Sequence, residues 1–165
     1  AWADGGSVTN ASGRQVTILS AGNDSGISFT VVGTDVNGSA LSETVTGANA
    51  GTATSSGYFK TITSITAVGN PAGNVSAGIN NNALGVIFAG RCRLRGFSYV
   101  SGGSAGTANI RNTSATGTEL VQFRSIGTDS SFEDVTIADE GIVFGAGCYV
   151  TFVVGTMDLM MFQHS

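Results

Sequence analysis

Short β-branched runs recur along this chain, cut about every 8–15 residues by clusters of Gly, Asn and Ser, and no window of eleven or more residues carries a sustained helical stripe. A helix buries one face through a 3.6-residue period. A half-buried strand does so through a period of two. The pattern therefore commits the chain to an all-β fold of many short strands. The clearest unit is ISFTVVGTDVNGSALSETVTG. Ile27, Phe29 and Val31 alternate with Ser28 and Thr30, Asn37-Gly38 predicts a type I′ turn, and Leu41 and Val45 mark the inward face of the return strand. Glu43 shares that parity. An inward charge either blunts an edge strand or is a partnered carboxylate with a role.

A further strand is predicted over YFKTITSITAVG, then a turn around Asn70-Pro71 and a short strand at NVSAGI. The polar, Gly-bounded stretch INNNALG places a module boundary near residue 82. Candidate strands follow at LGVIFA, RCRLRGFSYV, TANIR, ELVQFRSI, FEDVTIA, GIVF, CYVTFVV and MDLMMF. The predicted organisation is an N-terminal arm (1–13), a hairpin-rich N-terminal β module (14–82) and a jelly-roll-like C-terminal β-sandwich (83–165). Cys148, Val150, Phe152 and Val154 alternate with Tyr149, Thr151 and Val153, and apolar groups on both faces suit a covered or central strand.

Composition narrows function by exclusion. Charged residues make up 11% of the 165, against about 25% in an ordinary domain, and the formal net charge is -4. That balance argues against sequence-independent nucleic-acid binding, which needs a basic surface. No apolar run approaches the ~20 residues of a membrane-spanning helix. The opening AWADGGSVTN has no basic and apolar leader pattern, so no secretory signal is expected. Cys92 and Cys148 then read as two buried thiols in a reducing compartment, a bridge between them requiring an oxidising one. N-x-S sequons at Asn10, Asn23, Asn37, Asn74 and Asn112 are expected by chance in a chain this rich in Asn and Ser.

Catalysis is hard to assemble from these residues. The single histidine, His164, lies next to the last residue, where chains fray. No Ser-His-Asp set, zinc site or thiolate site is expected, and no cofactor. Glu133-Asp134 and Asp139-Glu140 are adjacent pairs, which a strand points to opposite faces; they read as solvated strand ends. Asp35-x-Asn37-Gly38 resembles the start of a calcium loop, and a hairpin turn explains it fully. The glycines of SGGSAG match no phosphate-binding motif.

The features that remain concern contact. Arg91, Arg93 and Arg95 fall on one face of a strand, with Cys92 and Leu94 on the other. After Gly96 the parity flips, and a β-bulge there would return Phe97 and Tyr99 to the Cys92 face. The arginine row either pairs with the acidic 133–140 region or docks on an acidic protein surface. The end of the chain, MDLMMFQ, carries all three Met. Met160 and Phe162 share a face that belongs to the core or lies against another subunit. Trp2 stands in a small, polar N-terminus and suits an arm packed on a neighbour or on its own body. The candidate interface residues are Trp2, Arg91, Arg93, Arg95, Met160 and Phe162.

The segments GNDSG, FTVVGTDVNG, SETVTGANAGTATSSGYFKTITSI and GNVSAGI together resemble a stretch recurring in virion structural proteins of tailed bacteriophages. GRCRLRGFSYVSGGSAGTANIRN and ADEGIVFGAGCYVTFVV are similar to small β domains of the same class of proteins, so the resemblance covers most of the chain. It implies a capsid decoration (cement) protein, made in the host bacterial cytoplasm. Such a protein sits on the virion surface, binds the major capsid protein as a homo-oligomer, as trimers at local threefold positions, and stabilises the shell. It implies no enzyme activity, no nucleic acid and no membrane. A tail, adaptor or fibre-associated module for host attachment is the alternative, in which Tyr58 and Phe59 would stack on a host glycan.

Overall fold

The structure, a computed structural model, describes residues 7–127 and 131–165, without the side chains of residues 158 and 159. The described residues form thirteen strands and no helix, as the alternation demands. The chain divides into two compact units, with the seam between Asn81 and Asn82.

The first unit holds β1 (Val8–Ser20), β2 (Ser28–Thr34), β3 (Ala40–Thr46), β4 (Thr52–Thr54), β5 (Phe59–Val68) and the start of β6 (Val75–Phe88). Its sheet runs β3-β2-β5-β1-β6, and β4 takes over from β5 along the second half of β1. Val16, Ile18, Phe29, Val31, Val45, Phe59 and Ile62 form its core, so the inward parity of Phe29, Val31 and Val45 holds. Residues 8–13, expected in an arm, are the first half of β1, paired to β5 at Val8–Ile62 and Thr9–Thr61.

Two local expectations are corrected. The β2–β3 loop is not type I′, because Gly38 alone has a positive φ (84°), whereas I′ needs two such residues. The Gly38 amide instead bonds the Asp35 carbonyl at 3.2 Å, closing a type I turn, and the amide of Asp35 bonds the Ser39 carbonyl. The Asp35 carboxylate accepts the amides of Asn37 and Ser39 at 2.8 and 2.9 Å, which favours this loop over I′. The stretch INNNALG, expected as a break, is strand within β6. Its polar side chains find partners: Asn80 donates to Gln15 Oε1 at 2.9 Å, and the Arg14 guanidinium donates to the Asn80 carbonyl.

The second unit holds the end of β6, β7 (Cys92–Ser101), β8 (Ala105–Asn112), β9 (Glu119–Ile126), β10 (Phe132–Thr136), β11 (Ile142–Phe144), β12 (Cys148–Val153) and β13 (Met157–His164). Every segment read as a strand in this half is one. One sheet has the order β6-β12-β8-β9. The other has β7 in the middle, with β10 and β11 along one side and β13 along the other. All these pairings are antiparallel. Cys92, Leu94, Phe97, Tyr99, Ile110, Phe123, Phe144, Cys148, Val150 and Met157 close one core drawn from both sheets. The unit is thus a β-sandwich, with β12 central between β6 and β8.

Candidate interaction surface

β7 sets the arginine row. Opposite β13, Gln163 pairs with Gly96 while His164 pairs with Leu94, so Arg95 is the extra residue of a bulge. The bulge flips the parity as predicted. Cys92 and Leu94 before it, and Phe97 and Tyr99 after it, are all buried. A Cβ on Gly96 would stand 2.8 Å from the Val135 carbonyl, which explains the glycine. The Phe97 and Phe123 rings stack at 4.5 Å, and Tyr99 donates its hydroxyl to the Arg124 carbonyl at 2.8 Å. Behind the arginines the strand is thus held rigidly.

The expected row is not one strand face: Arg91 lies in the bend before β7, Arg93 on the strand and Arg95 at the bulge, and the three differ in engagement. Arg93 Nη1 meets Glu140 Oε2 at 3.0 Å, while its backbone amide and carbonyl pair with Ser165. Arg95 reaches the Asp139 carbonyl at 3.4 Å. Arg91 and Arg95 are exposed, Arg93 half-buried. Pairing with the acidic 133–140 region therefore claims Arg93, through a surface ion pair of the kind worth about 0–1 kcal/mol. Asp139 and Glu140 lie in the turn before β11, closed by the Gly141 amide on the Ala138 carbonyl. Glu133 and Asp134 lie inside β10, opposite Tyr99 and Ser98, and face opposite ways. Both acidic pairs thus depart from the strand-end reading.

The remaining candidates divide. Met160 and Phe162 are half-buried against the unit's own core, opposite Tyr99 and Phe97, with Phe97 and Phe162 at 6.5 Å. Met157 joins them in that core, because a register shift before Leu159 turns it inward. Trp2 lies outside the described residues. His164 does not fray. It pairs with Leu94 and stacks on Phe88 at 5.0 Å. Phe59 is fully buried, so the stacking role offered for it on a glycan is excluded, while Tyr58 is half-buried. Cys92 and Cys148 are free thiols, both buried and hydrogen-bonded to each other.

Of the two readings of Glu43 the partnered carboxylate fits: it accepts the amides of Ser56 and Gly57 at 2.6 and 2.7 Å, so the inward charge clamps a loop, a partner no local pattern named. Two further features escaped the sequence. Asp24 is wholly buried. Its Oδ1 accepts the Ala72 amide at 2.7 Å, fixing the loop after β5, while Oδ2 has no partner among the described residues. Beside that loop, Ile18, Phe29, Ile65, Pro71 and Val75 line an apolar groove of about 520 Å³. Only the parity of Glu43 signalled any of these. The other partners come from segments far apart in the chain. No group of three or more His, Cys, Asp or Glu that could hold a metal occurs among the described residues. The chain matches no family model, and no curated protein or solved structure is significantly similar to it.

Proposed function

We propose that this chain is a structural protein of a tailed-phage virion that binds the outer surface of the assembled capsid and stabilises the shell. The observation that carries the reading is the form taken by the phage-like segment GRCRLRGFSYV. It is a bulged strand locked into a sandwich core, with Arg95 exposed on it and Arg91 exposed in the bend just before it. Arg forks suit the carboxylates of a protein surface, and the paired strand fixes the backbone that presents them. The partner is the major capsid protein. The mechanism is contact rather than chemistry. A protein that binds only the assembled shell stabilises it by mass action, and many identical weak contacts add through multivalency. Trimers at local threefold positions would place each copy across neighbouring capsomers.

Quantitative gel analysis of purified virions tests this reading. Hundreds of copies per particle are expected of a lattice-bound cement protein, and fewer than about twenty would sink the reading in favour of a tail, adaptor or fibre component at one vertex.

A further inference from the structure

Four of the exposed apolar side chains of the sandwich lie on two consecutive strands. Leu120 and Ile126 of β9 are 40% and 70% exposed, and Phe132 and Val135 of β10 are 59% and 38% exposed. β9 is the free edge of its sheet, paired only to β8 among the described residues. β10 is paired only to β7. All five residues of β10 are exposed, on both faces. Each strand therefore offers backbone donors and acceptors with no strand beside it, although the Arg124 carbonyl already accepts the Tyr99 hydroxyl. Natural edges of this kind are normally blunted by charge: β9 carries Arg124 and Glu119, the latter held by Arg111 of the same copy at 3.1 Å, and β10 carries Glu133 and Asp134.

We propose that β9 of one copy of this chain pairs antiparallel with β10 of a second copy, with Arg124 opposite Asp134. That register places Ile126 opposite Phe132 and Gln122 opposite Thr136 on the outer face. On the inner face it places Phe123 opposite Val135 and Ser125 opposite Glu133. Apolar meets apolar, Arg124 meets Asp134 and Glu133 meets the Ser125 hydroxyl, cross-strand pairings that stabilise a sheet. A two-residue slip breaks the match, setting Arg124 opposite Phe132 or Thr136, and a one-residue slip turns every side chain to the wrong face. β10 on β10 is disfavoured by charge, since it brings four carboxylates together, and β9 on β9 would have to set Arg124 against a Glu119 that Arg111 already holds. Each copy carries both edges, so the assembly needs no second kind of protein. Within one molecule the pairing is not made, because β10 is a strand of the opposite sheet. The inference stands on these edges alone and does not depend on shell binding.

Sedimentation velocity on the intact chain tests it, with Arg124→Asp, Asp134→Arg and the double variant. The wild type is expected to associate. Each single reversal should weaken association about tenfold, and the double reversal should restore it. A wild type that remains monomeric at about 100 μM overturns the proposal, including the case of a monomer that uses this edge for another protein. So does a double variant as weak as the singles. A second measurement is independent of charge. A mixture of Gln122→Cys and Thr136→Cys chains should form a disulfide between copies under mild oxidation, and failure to form one overturns the register.

Discussion

Cys148 shows what burial does to a single group. Its thiol has no exposure, and burial pushes it up from 9.0 to about 12, with the neighbouring Cys92 adding in the same direction. Burial also raises Cys92, partly offset by its hydrogen bond from Cys148. Below pH 9 both folded and unfolded chains keep the Cys148 proton, and the group adds no pH dependence. Above pH 9 the unfolded chain releases a proton that the folded chain retains, so stability falls as pH rises from 9 towards 12. Urea midpoints across that window should fall more steeply for the wild type than for Cys148→Ala. Parallel curves would show that the thiol does not carry the effect. The reading of two buried thiols was available from the sequence, since a thiol on the apolar face of a strand behaves as a small hydrophobe. The environment of Asp24 was not. Its partner amide at Ala72 lies 48 residues away, and no local pattern connects them.

At the scale of the strand, irregularities decide where side chains point. The bulge at Arg95-Gly96 was legible because an alternation broke in phase while apolar residues continued on both sides. A second bulge was not. Between β2 and β5, Val32 pairs with Ser64 but Gly33 pairs with Ile62, leaving Thr63 as the extra residue. The Thr63 hydroxyl donates to the Val32 carbonyl at 3.0 Å. The strands come so close here that a Cβ on Gly33 would lie 1.9 Å from the Thr61 carbonyl oxygen. Backbone cannot yield as a side chain tip does. Gly33→Ala is therefore expected to cost about 1–3 kcal/mol, read as a lower urea midpoint with the fold retained. An unchanged midpoint would mean that β5 shifts freely at Thr63. The β2–β3 hairpin teaches the same lesson: Asn37-Gly38 announced a turn, but its type was set by Asp35, whose carboxylate holds two amides that a type I′ turn would direct elsewhere.

For the whole molecule, alternation was enough to read an all-β chain, because a period of two is imposed by the backbone of every strand. Surface roles were less legible, because the partner that claims a side chain is set by the fold. Arg91, Arg93 and Arg95 look equivalent in sequence. The turn before β11 brings Glu140 to Arg93 and leaves Arg91 and Arg95 exposed. In the proposed function, shell docking through this face would therefore rest on those two residues. The double variant Arg91→Glu, Arg95→Glu is expected to bind shells stripped of the protein about tenfold more weakly, and to lose most of the salt dependence of binding. Its melting temperature should stay close to the wild type, since neither side chain is in the core. Arg93→Glu serves as the contrast. It breaks the pair with Glu140 and sets two acids side by side, so it should lower the melting temperature more than it weakens docking. If the Arg91/Arg95 variant bound shells as well as the wild type at low salt, docking through this face would be excluded, and the copy number on the particle would have to arise from other surfaces of the chain.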